Sequence, residues 1–196
     1  MSFRLGLTGS IGMGKSTTAK LFVEAGCAVW DADAAVHRLY ARGGAAVAPM
    51  QAIFPEVIID GAVSRLALKA ILSEHPGALT QIERIVHPLV AQDRAQFLRS
   101  SEADIAVLDI PLLYETRGEK HMNGVAVVTA PPDIQRSRVM DRGTMTEAQF
   151  EAILAKQMPD AEKRARADYI ITTDTVEHAR TQVQDIVAAI RRRLHA

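Results

Sequence analysis

The sequence lacks several features that mark particular classes of protein. Cys27 is the only cysteine, which excludes an internal disulfide and fits a reducing compartment. No group of His and Cys residues has the spacing of a zinc site. No run of residues is apolar and long enough for a membrane span, and the N-terminus shows no signal-peptide pattern. We therefore expect a soluble, cytoplasmic protein without a membrane partner.

A net charge is also lacking. The chain of 196 residues has 23 Lys and Arg and 23 Asp and Glu, so its surface carries no basic field of the kind that nucleic-acid binding requires. This balance favours a small anionic substrate over a nucleic acid, and no obligatory protein partner is evident. The length suits one domain, residues 1–196, with a substantial core.

One stretch carries strong evidence of chemistry. Gly9 to Ser16 fits the phosphate-loop pattern G-x-x-x-x-G-K-S/T at every fixed position, between an apolar strand pattern at residues 3–8 and a helical pattern. Glycines let the loop curl so that its N–H groups form an anion site at the helix N-terminus. Lys15 adds a charge for the β- and γ-phosphates, and the Ser16 hydroxyl is placed to ligate a bridging Mg²⁺. The loop predicts binding of a nucleoside triphosphate.

Apolar runs and helical patterns alternate along the rest of the chain. Further strands are predicted at residues 27–30, 105–109, 125–129 and 169–172. The order of elements predicts an α/β fold whose five-stranded parallel sheet has helices on both faces. Residues 34–100 show helical spacings broken by Gly and Pro, which we interpret as an insertion of short helices that carries the second substrate.

The C-terminal part contains a basic helix that ends at a glycine. Arg138 and Arg142 precede Gly143, and a capping box at Thr146 predicts a second helix that closes at Met158-Pro159. Arginines here could fold over a transferring phosphoryl group, and we predict a lid at about residues 138–160. We favour this role for Arg142, whereas a solvated helix face is the simpler interpretation of Arg136. In the last helix, capped by Thr175, residues 191–193 are arginines that complement the helix dipole.

Missing partner motifs narrow the class of nucleotide enzyme. A regulatory GTPase needs N-K-x-D, but the only asparagine, Asn123, is followed by Gly124, and Asp109 does not start D-x-x-G. A dinucleotide-binding G-x-G-x-x-G fails because Thr17 occupies the place of the third glycine. A kinase for a small molecule remains, with a nucleotide-dependent regulatory ATPase as the alternative from another class.

Several motifs in order resemble the dephospho-CoA kinase family over essentially the whole chain. They are Gly6–Ser16, Asp31-Ala32-Asp33, His87-Pro88, Asp109–Glu115, Arg138–Arg142, Gln157-Met158 and Ala167–Ile171. The resemblance implies transfer of the ATP γ-phosphoryl group to the ribose 3′-hydroxyl of dephospho-CoA, the last step of coenzyme A biosynthesis, with Mg²⁺. It implies a P-loop nucleotide-kinase-like three-layer fold with a lid. A kinase for another hydroxyl acceptor, a nucleoside monophosphate or a polyol, is the alternative.

The resemblance also implies roles for individual residues. Thr8 and Asp33 lie at the reacting hydroxyl, with Asp33 as the candidate base, and Lys15 and Arg142 complete the catalytic set. Asp33, His87 and Leu112 bind the acceptor. Apart from the resemblance, Ser16 in the loop and Asp109 at the end of a predicted central strand beside it are expected to serve the metal, Asp109 through water. The ATP-binding residues are Gly9, Gly12, Met13, Gly14, Lys15, Ser16, Thr17, Arg138 and Arg142.

Structural roles compete with these assignments. Asp33 could instead be the N-cap of a helix that begins near Ala34, and Asp109 could cap a turn. His87-Pro88 could end one helix and start the next. Trp30 and Tyr114 are predicted to be core residues. The segment Thr172-Thr173-Asp174 departs from the Asp-Asn of many members, so the contacts to adenine are not assigned.

Overall fold

The computed structural model describes residues 2–195, which form two compact units. One unit contains the segments up to Trp30 and from Ser101 onwards, and the other is Asp31–Ser100. The strands are β1 (Phe3–Thr8), β2 (Ala28–Asp31), β3 (Ile58–Ile59), β4 (Ala62–Val63), β5 (Ile105–Asp109), β6 (Gly124–Thr129) and β7 (Tyr169–Thr172). The helices are α1 (Lys15–Glu24), α2 (Ala32–Tyr40), α3 (Val47–Ile53), α4 (Arg65–Glu74), α5 (Ala78–Ser100), α6 (Pro132–Asp141), α7 (Glu147–Leu154), α8 (Asp160–Ala165) and α9 (Val176–Leu194).

The five longer strands form a sheet in the order β2-β5-β1-β6-β7. β1 pairs in parallel with β5 and β6, and β6 pairs in parallel with β7. β5 and β6 are buried along their whole lengths, as their continuous apolar runs predict for central strands. The predicted five-stranded parallel α/β fold is confirmed. The phosphate loop follows β1, so it lies at the carboxyl edge of the sheet, where open α/β sheets bind ligands.

Successive side chains of β6 pack on opposite faces of this sheet. Ala126 and Val128 join the core that α1 and α9 cover, whereas Val125 and Val127 pack with the segment that follows β5. The apolar stripe predicted for α9 is buried, and so are Trp30 and Tyr114. No helix within residues 2–195 is long and apolar enough to cross a membrane.

The Asp31–Ser100 unit has its own core, built by α2 to α5. One prediction and one alternative were wrong here. β3 and β4 form an antiparallel hairpin whose turn residues, Asp60 and Gly61, have φ of 51° and 77°, where only short helices were expected. α5 runs for 23 residues with Pro88 inside it, so His87-Pro88 does not separate two helices. The buried Ile82 and Val86 hold the turn before this proline.

Three details near the C-terminus also differ from expectation. α7 ends at Leu154 rather than at Met158, and the short helix α8 follows it. Arg191 does more than complement the dipole of α9, because its guanidinium binds the carboxylate of Asp104 at 2.7 Å. This hydrogen bond from Arg191 lowers the pKa of Asp104 below its usual value.

Candidate active site

Close contacts explain the glycines of the phosphate loop. Gly12 and Gly14 have φ of 79° and 86°, which other residues rarely adopt. A Cβ on Gly9 would lie 2.7 Å from the carbonyl oxygen of Val128, and a Cβ on Gly12 would lie 2.6 Å from Cγ2 of Val139. The loop therefore passes against the backbone of β6 and the side of α6, where a side chain has no room.

The first turn of α1 is open to an anion. Gly14 is the N-cap, so no side chain caps the helix. Its first N–H groups and the positive end of the helix dipole are thus available to a negatively charged ligand. Ser16 and Thr17 lie exposed in this same turn.

Lys15 and Asp109 are brought together. Lys15 Nζ contacts Oδ1 of Asp109, the last residue of β5. Only 1% of the Asp109 side chain is exposed, against 17% for Lys15. The strand register sets Leu7 beside Asp109, which puts the carboxylate at the sheet edge below the loop. A buried carboxylate needs such a partner, because desolvation of a lone charge is costly.

Thr8 ends β1 and is fully buried. Its hydroxyl donates a hydrogen bond to the carbonyl oxygen of Pro111 at 3.0 Å. This bond ties β1 to the segment after β5, in which Leu112 is 44% exposed. The structure thus brings Thr8 and the start of the Leu112 segment to the same edge as Lys15.

Met13 and Thr173 join the loop to β6 and to the segment after β7. The Sδ atom of Met13 accepts a hydrogen bond from the N–H of Ala130 at 3.1 Å. The Met13 carbonyl oxygen lies 2.7 Å from the hydroxyl of Thr173, which is also 3.2 Å from the carbonyl oxygen of Thr129. Thr173 lies in the segment that departs from the family pattern, and it supports the loop directly.

Arg138 and Arg142 lie beside a cavity of about 430 Å³ that adjoins the loop. Arg138 donates to the Thr173 hydroxyl at 3.0 Å and also to the Thr173 carbonyl oxygen. Arg142 is the exposed C-cap of α6. The cavity is lined by Gly14, Thr17, Thr18, Arg138, Asp141, Arg142, Thr173, Thr175, Val176 and Ala179.

A weak contact joins α6 to α7. Arg136 Nε lies 3.1 Å from Oε1 of Glu147, and both side chains are exposed. An exposed ion pair contributes roughly 0–1 kcal/mol. Gly143 between the helices has φ of 61°, and a Cβ there would meet nothing within 4 Å. Thr146 and Gln149 form the predicted capping box of α7.

Asp33 and His87 belong to the Asp31–Ser100 unit. The carboxylate of Asp31 accepts a hydrogen bond from the N–H of Ala34 at 2.8 Å, so Asp31 is the N-cap of α2. The alternative that Asp33 caps this helix was wrong, because α2 begins two residues earlier than expected. Asp33 is exposed in its first turn, and His87 is exposed on α5.

Sequence reasoning gave no role to a buried ion pair behind the loop. Lys163 on α8 is fully buried, with Nζ 3.0 Å from Oε1 of Glu115. The same carboxylate oxygen accepts a hydrogen bond from the N–H of Met158 at 2.8 Å. Burial acts to raise the pKa of Glu115, but the Met158 N–H and the Lys163 ammonium outweigh it and lower this pKa below its usual value. In the sequence, Glu115 is marked only by the family motif Asp109–Glu115, and no pattern marks Lys163.

The oxygen donors at the loop fit Mg²⁺ bound together with a nucleotide. Mg²⁺ prefers a few protein oxygens completed by phosphate oxygens and water. The Ser16 hydroxyl in the first turn of α1 and the Asp109 carboxylate at the end of β5 are donors of this kind. Within residues 2–195, no three His, Cys, Asp or Glu side chains converge as a ligand set. Nucleotide and water would therefore supply most of the ligands.

Comparisons with known proteins agree with this arrangement. A sequence model of the dephospho-CoA kinase family matches residues 3–178. A dephospho-CoA kinase from Ruegeria pomeroyi is 68% identical over 191 residues, 97% of each chain, and one from Cereibacter sphaeroides is 61% identical over 189 residues, 96% of each chain. A crystal structure of a Thermus thermophilus protein has a TM-score of 0.85 at 32% identity, covering 96% of this chain and 97% of that one. The chain belongs to the dephospho-CoA kinase family.

Proposed function

We propose that the protein transfers the γ-phosphoryl group of ATP to the 3′-hydroxyl of the ribose of dephospho-CoA, giving CoA and ADP. The observation that carries this proposal is the phosphate loop, with Lys15 beside Asp109, in a chain that matches the dephospho-CoA kinase family almost from end to end. Phosphoryl transfer depends on positioning and charge compensation more than on covalent chemistry, and these residues offer both.

ATP would bind with its β- and γ-phosphates in the loop. The N–H groups at the start of α1 would bind phosphate oxygens, and the Lys15 ammonium would turn from Asp109 toward them. The cavity beside Gly14 would receive the nucleoside, since it lies next to the loop and is large enough for a base and ribose. Ser16 and, through water, Asp109 would hold Mg²⁺, whose charge would offset that of the phosphates.

The acceptor hydroxyl would be oriented by Asp33 and Thr8. A ribose hydroxyl is a poor nucleophile, and a carboxylate within hydrogen-bonding reach can accept its proton as the new bond forms. Because the Thr8 hydroxyl donates its hydrogen bond to the carbonyl oxygen of Pro111, its oxygen lone pairs are left to accept a hydrogen bond from the acceptor hydroxyl. His87 and Leu112, with the insertion at residues 34–100, would bind the rest of dephospho-CoA.

A lid would close over both substrates and exclude water. The predicted segment, residues 138–160, begins within α6, where Arg138 is held by Thr173. We propose that the moving part runs from Arg142, just after α6, to Lys156, because Met158 is fixed by Glu115. Arg142 next to Gly143 would then contact the phosphates as the lid closes.

The acceptor is tested by measuring ADP release with ATP and Mg²⁺ across dephospho-CoA, AMP, pantothenate and shikimate, with a control that lacks acceptor. We expect turnover with dephospho-CoA only, and a product whose mass is that of CoA. Faster turnover of AMP or another acceptor would support the alternative small-molecule kinase. ADP release that no acceptor stimulates would support a regulatory ATPase and contradict the proposal.

We also propose a cytoplasmic location and small-molecule partners only. The single, buried Cys27 fits a reducing compartment. The equal numbers of acidic and basic residues give no field that would attract a nucleic acid.

A further inference from the structure

Two glutamines hold one residue of the phosphate loop from opposite sides of its backbone. Oε1 of Gln157 accepts a hydrogen bond from the N–H of Ile11 at 3.2 Å. Nε2 of Gln135 donates to the carbonyl oxygen of Ile11 at 2.6 Å. Both polar groups of a loop residue are therefore bound by side chains from outside the loop, 124 and 146 residues away in sequence.

Both glutamines are themselves held in place. Gln135 is 6% exposed and lies on α6, whose Val139 packs against Gly12. Gln157 is followed by Met158, whose N–H is bound by Glu115 at 2.8 Å. Glu115 is bound in turn to the buried Lys163. Side chains that are already ordered lose little entropy when they hold a partner, so they make effective supports.

The orientation of the Ile11 carbonyl decides where the next N–H group points. All peptide bonds of residues 2–195 are trans, and in a trans peptide the N–H points away from the carbonyl oxygen. Because Gln135 draws the Ile11 carbonyl toward α6, the N–H of Gly12 points away from α6. The N–H of Met13 is already bound to the Ser10 carbonyl at 3.2 Å. The Gly12 N–H thus becomes a donor whose direction Gln135 controls.

We propose that Gln135 and Gln157 are positioning residues that fix the Ile11 peptide groups, so that the Gly12 N–H and the start of α1 face the nucleotide phosphates. This proposal rests on the proposed role of the loop as the phosphate site. Gln157 acts as an acceptor and Gln135 as a donor, because a backbone N–H can only donate and a carbonyl oxygen can only accept. The two glutamines are therefore not equivalent toward substitution by glutamate.

The test compares Gln135→Glu with Gln157→Glu. Each adds one negative charge beside the same residue, so each is the charge control for the other. A carboxylate at position 157 keeps the acceptor, whereas one at position 135 loses the donor and faces a carbonyl oxygen. We expect ADP affinity, measured by calorimetry without acceptor, to be about tenfold weaker at about pH 8 in Gln135→Glu than in Gln157→Glu.

Two methionine variants and a pH change complete the test. Methionine at position 157 offers no hydrogen-bond acceptor for the Ile11 N–H, so Gln157→Met should bind ADP several-fold more weakly than Gln157→Glu. Glutamate at position 157 is therefore expected to restore the ADP affinity that methionine loses. At position 135, in contrast, Gln135→Glu should bind ADP no more tightly than Gln135→Met. As the pH falls to about 6, Gln135→Glu should recover affinity, because a buried carboxyl that takes up a proton becomes a donor. Equal affinities of the two glutamate variants, or losses of affinity that parallel losses of melting temperature, would overturn the proposal. Since ADP binding needs no acceptor, failure of the kinase assay with dephospho-CoA would leave this test intact.

Discussion

Lys15 and Asp109 form an ion pair in which the carboxylate is almost wholly buried and the ammonium is partly exposed. The lysine that would bind the ATP phosphates is therefore held at the sheet edge before nucleotide arrives. Its partner, Asp109, is the residue proposed to organise the metal hydration. The two proposed roles are thus coupled, because an ammonium drawn toward the phosphates would no longer compensate the Asp109 carboxylate, and Mg²⁺ bound with the nucleotide would supply a positive charge there instead.

This coupling predicts different effects on stability and on catalysis. Lys15→Met should lower kcat/KM by on the order of 10² or more, since it removes charge compensation. It should also lower the melting temperature by several degrees, because it leaves a buried carboxylate without its ammonium, at a cost of about 3 kcal/mol. The double variant Lys15→Met/Asp109→Asn should recover most of the melting temperature and none of the activity. If the double variant melts as low as the single one, the ion pair does not stabilise the fold.

Asp33 can now be tested separately from helix capping. Since Asp31 caps α2, Asp33→Asn should leave the melting temperature unchanged while kcat falls about 10²-fold, the usual size of a general-base contribution. Asp31→Ala is the matched control, and it should lower the melting temperature through loss of the cap. Near-normal kcat in Asp33→Asn would show that the transfer proceeds without a base at this position.

Arg142 and Arg136 offer a second matched pair. Both are exposed arginines of the α6 region, but Arg136 pairs with Glu147 and Arg142 borders the cavity. Arg142→Ala should mainly lower kcat, because its phosphate contact forms as the lid closes, whereas Arg136→Ala should change kcat less than about threefold. An effect of Arg142→Ala confined to KM would indicate equal binding of substrate and transition state.

Lid closure should be visible in hydrogen exchange. Amides of α7 should exchange more slowly when an ATP analogue and dephospho-CoA are bound together, because closure removes local opening. Amides of β5 and β6 serve as the internal control, since these strands are buried in the central sheet. Equal exchange in α7 with and without the two ligands would rule out a lid in this segment.

Glu115 predicts a loss of stability in acid. Its pKa is lowered in the folded protein, so it stabilises the fold fully above its ordinary value of 4.5 and progressively less as the pH falls through the lower folded value. The difference in melting temperature between the parent and Glu115→Gln should therefore be large at about pH 6 and shrink toward about pH 3. Glu56→Gln is the control, because Glu56 is exposed in the short 3-10 helix Pro55–Val57. A difference that is constant with pH would mean that Glu115 acts by packing alone.

Local sequence patterns predicted most of the unit that contains the five-stranded sheet. The apolar runs of β5 and β6, the capping box at Thr146 and the loop at residues 9–16 are all short-range signals, and each was found where it was expected. The hairpin of β3 and β4 was missed because strands of two residues carry no periodicity. Pro88 was taken as a possible boundary because tertiary burial, which keeps α5 continuous, cannot be seen in the local sequence.

The supports of the site were harder to predict than its central residues. Lys15 lies in a motif that states its role, whereas Gln135 and Lys163 have no local pattern that marks them, and Gln157 belongs only to a short family motif that indicates no role. Each of these three side chains contacts a partner far away in sequence, and a single amino-acid sequence does not indicate such pairs. Gln135 on α6 and Gln157 in the segment between α7 and α8 are ordinary polar residues until the fold brings them to Ile11.

The hydrogen bond between Met13 and Thr173 spans 160 residues of the chain. Closing so long a segment costs chain entropy before the contact returns any energy, so such contacts tend to form late in folding. During synthesis the loop leaves the ribosome well before its support after β7, which follows 160 residues later. A chain truncated before β7 would carry the complete phosphate-binding motif without the structure that shapes it. Nucleotide binding by this protein would therefore report that the chain has been made beyond β7 and has folded.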